Sequence, residues 1–441
     1  MKIICDYEYP KGAMAMSDYH IDTKCVQSGY QPENGEPRIL PIIQSTTFKY
    51  KSTEQLGRLF DLQEPGYFYS RLANPTCDYV AAKIADLEGG NSCVLTSSGQ
   101  AAIMMTVLNL CEAGDHIVSC STLYGGTFNL FSVTLKKLGI SVSFVRPDAD
   151  AEEIIKAIQP NTKLVYGEMV ANPALNILNL ESFAQAAHTV GVPLIVDNTF
   201  PTPINCRPFE WGADLIVHST TKYMDGHATS IGGCVVDHGT FDWEKYADRF
   251  PGLTRPDDSY HGVIYTRQFG PAAFTAKFTV QLMRDMGFSP APMNAFLLNI
   301  GLETLHLRVP RHCANALAAA EFLKRHPNVS WVKYPGLADD SQYQLARKYM
   351  PNGVCGVLSF GVRGGRDNAV RFMDSLKLSS IVTHVCDART SVLHPASHTH
   401  RQLTDEQMVL AGVPNDMIRL SVGIENSEDI LHDLDQALNI L

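Results

Sequence analysis

Lys222 lies in the stretch Ala213–Val236, ADLIVHSTTKYMDGHATSIGGCVV, set among hydroxyls and glycines just past an apolar run. Ala213 to Val217 is short, apolar and β-branched, so it reads as a buried strand, with Ser219, Thr220 and Thr221 at its end. Strand ends in α/β sheets are where ligands sit. A lysine desolvated there has its ammonium destabilised, which frees the amine to attack a carbonyl and form a Schiff base. On this segment alone, a solvated loop lysine is an equal reading.

Two further sites give that amine a context. In TSSGQAAIMM (96–105) a strand runs through a small polar turn into a helix, aiming the backbone N–H groups of Gly99 and Gln100 and the Ser98 hydroxyl at one point. Such a helix start suits a phosphate, and it is also ordinary N-cap chemistry. In VPLIVDNTF (192–200), Asp197 ends a run apolar enough to be an interior strand. A carboxylate there needs a partner: a protonated ring nitrogen, or an Asx turn with Asn198 and Thr199. One helix-and-strand unit separates Asp197 from Lys222, which puts both at one sheet edge. A phosphate cup, an acid for a pyridinium nitrogen and an amine for an aldehyde together describe pyridoxal 5'-phosphate, whose ring acts as an electron sink.

These residues need a scaffold, and the chain supplies one. From Gly66 to about Asp237, apolar strand-like runs (SCVLTSS, HIVSCS, VSFV, KLVYGEM, VPLIVDNT, ADLIVHS) alternate with helical patterns, the signature of a mostly parallel, doubly wound α/β sheet. Residues 1–65 are rich in Pro, Gly and polar residues and read as an extended arm with one short helix that packs on something else; 66–298 form the large domain and 299–441 a smaller C-terminal α/β domain. In the last, GVLSFGV, IVTHV and MIRLSVGI read as strands. FDWEKYADRFPGLTRPDDSYHG reads as a polar, aromatic-rich insertion. A helical region from about Asn294 to His326 contains Pro310, which predicts a kink or break near Arg308.

With 441 residues, 45% hydrophobic, the chain can bury a large core, and a net charge of −10 without a dense basic run argues against nucleic-acid binding. The 11 cysteines are scattered with no CxxC pair, and the N-terminus lacks a long apolar stretch, so free thiols in the cytoplasm are expected. No segment reaches membrane-spanning length.

YSRLANPT (69–76), SSGQAA, TLYGGTF (122–128), EMVANP (168–173), VDNTF and HSTTKYMDGHATSIGG together resemble the Cys/Met-metabolism family of pyridoxal-phosphate enzymes, from about Asp22 to the C-terminus. The resemblance implies the aspartate-aminotransferase-like fold type I. It implies that Lys222 bonds the cofactor and shuttles protons, that Asp197 pairs with the pyridinium nitrogen, and that Tyr124 stacks on the ring and serves acid–base chemistry. Ser98, Gly99, Gln100, Ser219 and Thr221 would hold the phosphate, joined by Tyr69 and Arg71 from a neighbouring subunit, so the protein is expected to be a homo-oligomer, a tetramer of two active dimers. Asn172 would bond the phenolic oxygen, and Arg419, with Tyr69 and His384, would meet the substrate; a salt-bridged surface arginine is the other reading of Arg419.

Within the family, LFDLQEPGYFYSRLANPT, HGTFDWEKYADRFPGL and NAFLLNIGLETLHLRVPRH are similar to the O-acylhomoserine sulfhydrylase branch. That branch implies γ-replacement on O-acetylhomoserine by sulfide or a thiol, giving homocysteine or methionine plus acetate. A γ-lyase acting on methionine or homocysteine, a cystathionine synthase or lyase, and a non-catalytic cofactor-binding scaffold are the alternatives. The chain departs from the branch at His384, Cys386 and His398, near the expected substrate carboxylate, and at Pro310. The spacing of His394, His398 and His400 permits a metal, but no cysteine or carboxylate pair completes a site, and none is expected.

Overall fold

The computed structural model describes residues 18–398 and 414–441. Within them, seven strands form one sheet: β1 (Ser92–Thr96), β2 (His116–Cys120), β3 (Ser141–Val145), β4 (Thr162–Glu168), β5 (Leu194–Asp197), β6 (Leu215–His218) and β7 (Gly233–Asp237), in the order β1-β7-β6-β5-β4-β2-β3. Only β7 runs antiparallel to its neighbours. The β2–β3, β2–β4, β4–β5 and β5–β6 pairs are parallel, as the alternating pattern predicts.

Leu194, Ile195 and Val196 of β5 and Leu215, Ile216 and Val217 of β6 are each 0% exposed. Helices cover both faces of a parallel sheet, which is why these strands are apolar without alternation. Each such side chain contributes roughly 1.5–3 kcal/mol of burial, an upper figure because the unfolded chain is itself partly compact. The helices leading to the site are capped by their own sequence. In α3 (Pro75–Glu88), the Asn74 side chain accepts from Thr76 N–H at 3.0 Å, Pro75 opens the first turn and Gly89 closes the last at φ 78°. In α4 (Gly99–Leu110), the Ser98 hydroxyl accepts from Ala101 N–H at 3.1 Å.

A second sheet follows in the order β10-β11-β12-β9-β8: β8 (Val329–Lys333), β9 (Val357–Val362), β10 (Ser380–Ile381), β11 (Ser391–Leu393) and β12 (Met417–Ser421). Strand β11 escapes the sequence pattern because it has only three residues, and β8 because VSWVK mixes Ser330 and Lys333 into its apolar run. The expected strand IVTHV shrinks to the edge pair Ser380–Ile381. Beyond it, side chains take the backbone groups that a ladder would use: Arg419 donates to Thr383 O, Ser391 to His384 O, and Cys386 N–H donates to Ser421 Oγ.

Other expectations also shift. The arm holds two short helices, α1 (Ile21–Gln27) and α2 (Thr53–Phe60), rather than one. The insertion after Asp237 is not a polar outgrowth: Trp243, Phe250 and Leu253 are buried, with Trp243 stacked on Phe274 at 6.2 Å. The long helical region breaks at Thr304, between Pro292–Glu303 and Leu305–Arg325, and not at Arg308. Pro310 sits inside the second helix, past its first turn, where it has no N–H to give His306 O. That helix serves two cores. Leu305, Val309 and Cys313 pack with the large sheet, whereas Ala316, Ala319, Ala320 and Leu323 pack with the small one. No helix among the described residues is long and apolar enough to cross a membrane.

Candidate active site

A cleft of about 250 Å3 opens at the carboxyl ends of β4, β5 and β6 and the start of α4, facing the segment after β10 and strand β12. Its walls include Ser98, Gly99, Gln100, Tyr124, Asn172, Asp197, Ser219, Thr221, Lys222 and Arg419, so ten of the residues singled out from sequence converge on one space.

The phosphate end is a cradle built on missing side chains. A Cβ on Gly99 would lie 2.7 Å from Ser219 Cβ, and one on Gly233 would lie 2.3 Å from Ser98 O. Only glycine lets the α4 start, the β6 end and the β7 start approach this closely. The Ser98 hydroxyl both caps α4 and lines the cleft, so the two readings of the turn hold together. The partial positive charge of a helix start suits an anion here.

Asp197 closes β5. Its Oδ1 accepts from the N–H and the hydroxyl of Thr199 at 3.0 and 2.5 Å, so the Asx turn exists and fixes the carboxylate toward the cleft. Its register partner on β4 is Glu168, which accepts Tyr124 N–H at 2.7 Å. Burial pushes both carboxyls up, Glu168 the further because the Asp197 charge lies beside it. A cationic ring nitrogen would relieve both. Sequence reading named Asp197 and passed over Glu168, although KLVYGEM carries the same signal, a carboxylate closing an apolar strand. Tyr124 itself is 48% exposed, and Gly126 leaves room for its ring: a Cβ there would stand 2.6 Å from Tyr124 Cε1.

Lys222 sits in the turn after β6, and burial lowers its pKa, assisted by the Arg419 charge. Opposite, Arg419 on β12 is 5% exposed. Its Nη1 donates to Asn172 Oδ1 at 3.3 Å and its Nη2 to Thr383 O at 3.1 Å, while Nε has no partner. Burial brings its pKa down to about 10, so it remains a cation at neutral pH. The surface-arginine reading is excluded by this burial. The residues present therefore fit pyridoxal phosphate: an anion cradle, a carboxylate pair, an exposed aromatic ring and a desolvated amine.

Three residues lie elsewhere. Tyr69 and Arg71 are exposed and outside the cleft of their own chain, with the Arg71 guanidinium 5.3 Å from the Tyr69 ring centroid. Thr383 and Val385 line the cleft but His384 between them does not; its Nε2 stands 3.9 Å from Asp387 Oδ2. His394 engages Ser397 Oγ and Asn415 O through its two ring nitrogens, and His400 lies outside the described residues.

A family profile for Cys/Met metabolism PLP-dependent enzymes matches residues 22–439. The chain belongs to that family. Within it, the chain is 46% identical to the homocysteine synthase of Schizosaccharomyces pombe, over 97% of this chain and 100% of that one. It is 43% identical to the O-acetyl-L-homoserine sulfhydrylase of Leptospira meyeri, over 97% of this chain and 99% of the other. A crystal structure of a candidate O-acetylhomoserine (thiol)-lyase from Campylobacter jejuni, carrying N'-pyridoxyl-lysine-5'-monophosphate, superposes with a TM-score of 0.92 at 37% identity, covering 96% of this chain and all of that one. As a Cys/Met metabolism enzyme, the chain has the fold type I architecture and depends on pyridoxal phosphate.

Proposed function

We propose that this chain is a cytoplasmic O-acetylhomoserine sulfhydrylase, which replaces the acetate at Cγ of O-acetyl-L-homoserine with sulfide or a thiol to give homocysteine or methionine. The observation that fits the site to an amino acid is Arg419: a buried guanidinium at the cleft, held by amide and carbonyl oxygens through two of its five N–H groups, which leaves Nε–H and one N–H on each Nη for an α-carboxylate. The names of the relatives support the choice of substrate and reaction.

Pyridoxal phosphate, when bound, supplies an aldehyde for the lysine and an electron sink for charge developing at Cα and Cβ. The protein then has four tasks. Gly99, Gln100, Ser98, Ser219 and Thr221 anchor the phosphate. Asp197 holds the ring nitrogen positive, and Asn172 meets the phenolic oxygen. Lys222 Nζ carries protons between Cα and the neighbouring positions, a role its lowered pKa supports. The Tyr124 hydroxyl protonates the departing group. Tyr69 and Arg71, displaced from their own cleft, are proposed to complete the neighbour's phosphate site, which makes the working unit an oligomer, a tetramer of two such dimers. We propose the same division of labour along the chain: an arm to residue 65 for subunit contacts, 66–298 for the cofactor, 299–441 for the substrate.

The test is a substrate panel on the purified protein loaded with cofactor. O-acetylhomoserine with sulfide is expected to give homocysteine faster than methionine alone gives ammonia and thiol. Faster breakdown of methionine would replace this reading with a γ-lyase.

A further inference from the structure

One side chain grips the lysine turn from behind and takes no part in the chemistry above. Arg308 is 5% exposed. Its Nη1 donates to Tyr223 O at 2.8 Å, its Nη2 to Gly301 O at 2.6 Å with a longer contact to Met224 O at 3.5 Å, and its Nε to Thr304 Oγ1 at 3.0 Å. The guanidinium thus fills the gap where the helix Pro292–Glu303 stops and the next one starts, and it ties that break to the two residues following Lys222. Asp225, the carboxylate whose charge favours the guanidinium most, is itself engaged by Thr229 and Ser230.

The backbone is shaped to admit this grip. Gly226 has φ 69°, and a Cβ on it would stand 1.9 Å from Arg308 Nη1. A Cβ on Gly301 would lie 2.4 Å from both Met224 O and Asp225 O. Helix end and turn therefore meet backbone to backbone at Gly301, and Gly226 leaves the space that the guanidinium fills in the seam. The rest of the turn is clamped as well: Ala388 N–H donates to Gly226 O at 2.9 Å, and Gly356 N–H donates to the Tyr223 hydroxyl at 2.7 Å. A planar fork with donors in fixed directions serves several oxygens at once; a lysine ammonium on a flexible stem does not.

We propose that Arg308 is a positioning residue for Lys222, fixing the turn that sets where the amine reaches into the cleft. This rests on the reading of Lys222 as the cofactor-bound, proton-carrying amine. A displacement of the order of 1 Å in a reacting group costs about 100-fold in rate, so a loosened turn registers in kcat before it registers in substrate binding.

The test compares Arg308→Met, Arg308→Lys and Thr304→Val, the last removing the Nε partner together with the weak 3.4 Å bond from Thr304 Oγ1 to Gly301 O, with the parent protein. Melting temperature, bound pyridoxal phosphate, the pH at which the colour of the lysine-bound cofactor changes, kcat and KM are all measured. Arg308→Met is expected to retain cofactor, to move the colour transition by about one pH unit and to lower kcat about 10- to 100-fold with KM nearly unchanged. Arg308→Lys should recover part of both, and Thr304→Val should shift both slightly in the same direction. A lower melting temperature with an unmoved colour transition and parental kcat would make Arg308 a plain helix-end staple and overturn the proposal. If Arg308→Met does not fold, the other two variants decide by the same criterion. Should the parent lack a colour that Lys222→Ala abolishes, it is the lysine reading that fails, not the role of Arg308 alone.

Discussion

Asp197, Ser219, Lys222 and Gly99 stand at strand ends or a helix start of the seven-stranded sheet, whereas the facing wall comes from an irregular segment, Thr383–Val385, and from Arg419 on a strand of the smaller sheet. On the first side, topology alone brings the groups together: parallel strands all deliver their carboxyl ends to one edge. On the second, individual side chains hold the backbone in place, through Arg419 to Thr383 O, Ser391 to His384 O and Cys386 N–H to Ser421. Under the proposed assignment, cofactor and substrate are held by two kinds of construction. On that assignment, a change of side chain on the second wall is expected to reshape the Thr383–Val385 segment and to leave the phosphate cradle intact.

If the walls divide the work in this way, damage to each has a different signature. Lys222→Ala is expected to abolish the colour of the bound cofactor and lower turnover about 1000-fold; absorbance and rate measured together check it, and a variant keeping both would break the comparison outright. Arg419→Lys is expected to keep the colour and raise KM for the amino acid about 10- to 100-fold, the worth of one charged hydrogen bond. Saturation kinetics would show it, and an unchanged KM would remove substrate recognition from the second wall.

The smallest effect concerns how that wall is folded. Cys386 is fully buried at φ 68°, a left-handed conformation that costs a residue with a Cβ about 1–2 kcal/mol. Both Cys386→Gly and Cys386→Ala lose the thiol, but only glycine sheds the strain. The glycine variant should therefore be the more stable of the two by about 1 kcal/mol in denaturant unfolding. Equal stabilities would mean that the wall does not enforce this backbone.

The same contrast governs what could be read from sequence. Lys222, Asp197 and the Ser98 turn were legible because each interrupts a local pattern, an apolar strand or a helix start, with one chemical residue. Glu168 carries that signal too and was obscured by the neighbouring motif it belongs to. The strand expected over IVTHV failed because the bonds that hold this stretch come from side chains, Ser391 nearby and Arg419 and Ser421 distant in sequence, and none of them shows in a local period. The helix break moved from Arg308 to Thr304 for a related reason: proline chemistry marks where a helix is weakened, while the guanidinium of Arg308, bonded to Gly301 O and Thr304, settles where it parts. Tyr69 and Arg71 are recognisable by motif, and both lie exposed and outside the cleft of their own chain, Tyr69 bridged to Thr47 and Arg71 bonded to Arg284 O.

The helix Leu305–Arg325 buries its first half against one core and its second half against the other. It is a beam shared by two rooms, not a hinge between them. Severing the chain there would leave either fragment with a bare apolar stripe, and a rigid-body shift of the smaller sheet toward Lys222 would have to carry the second half of the beam with it.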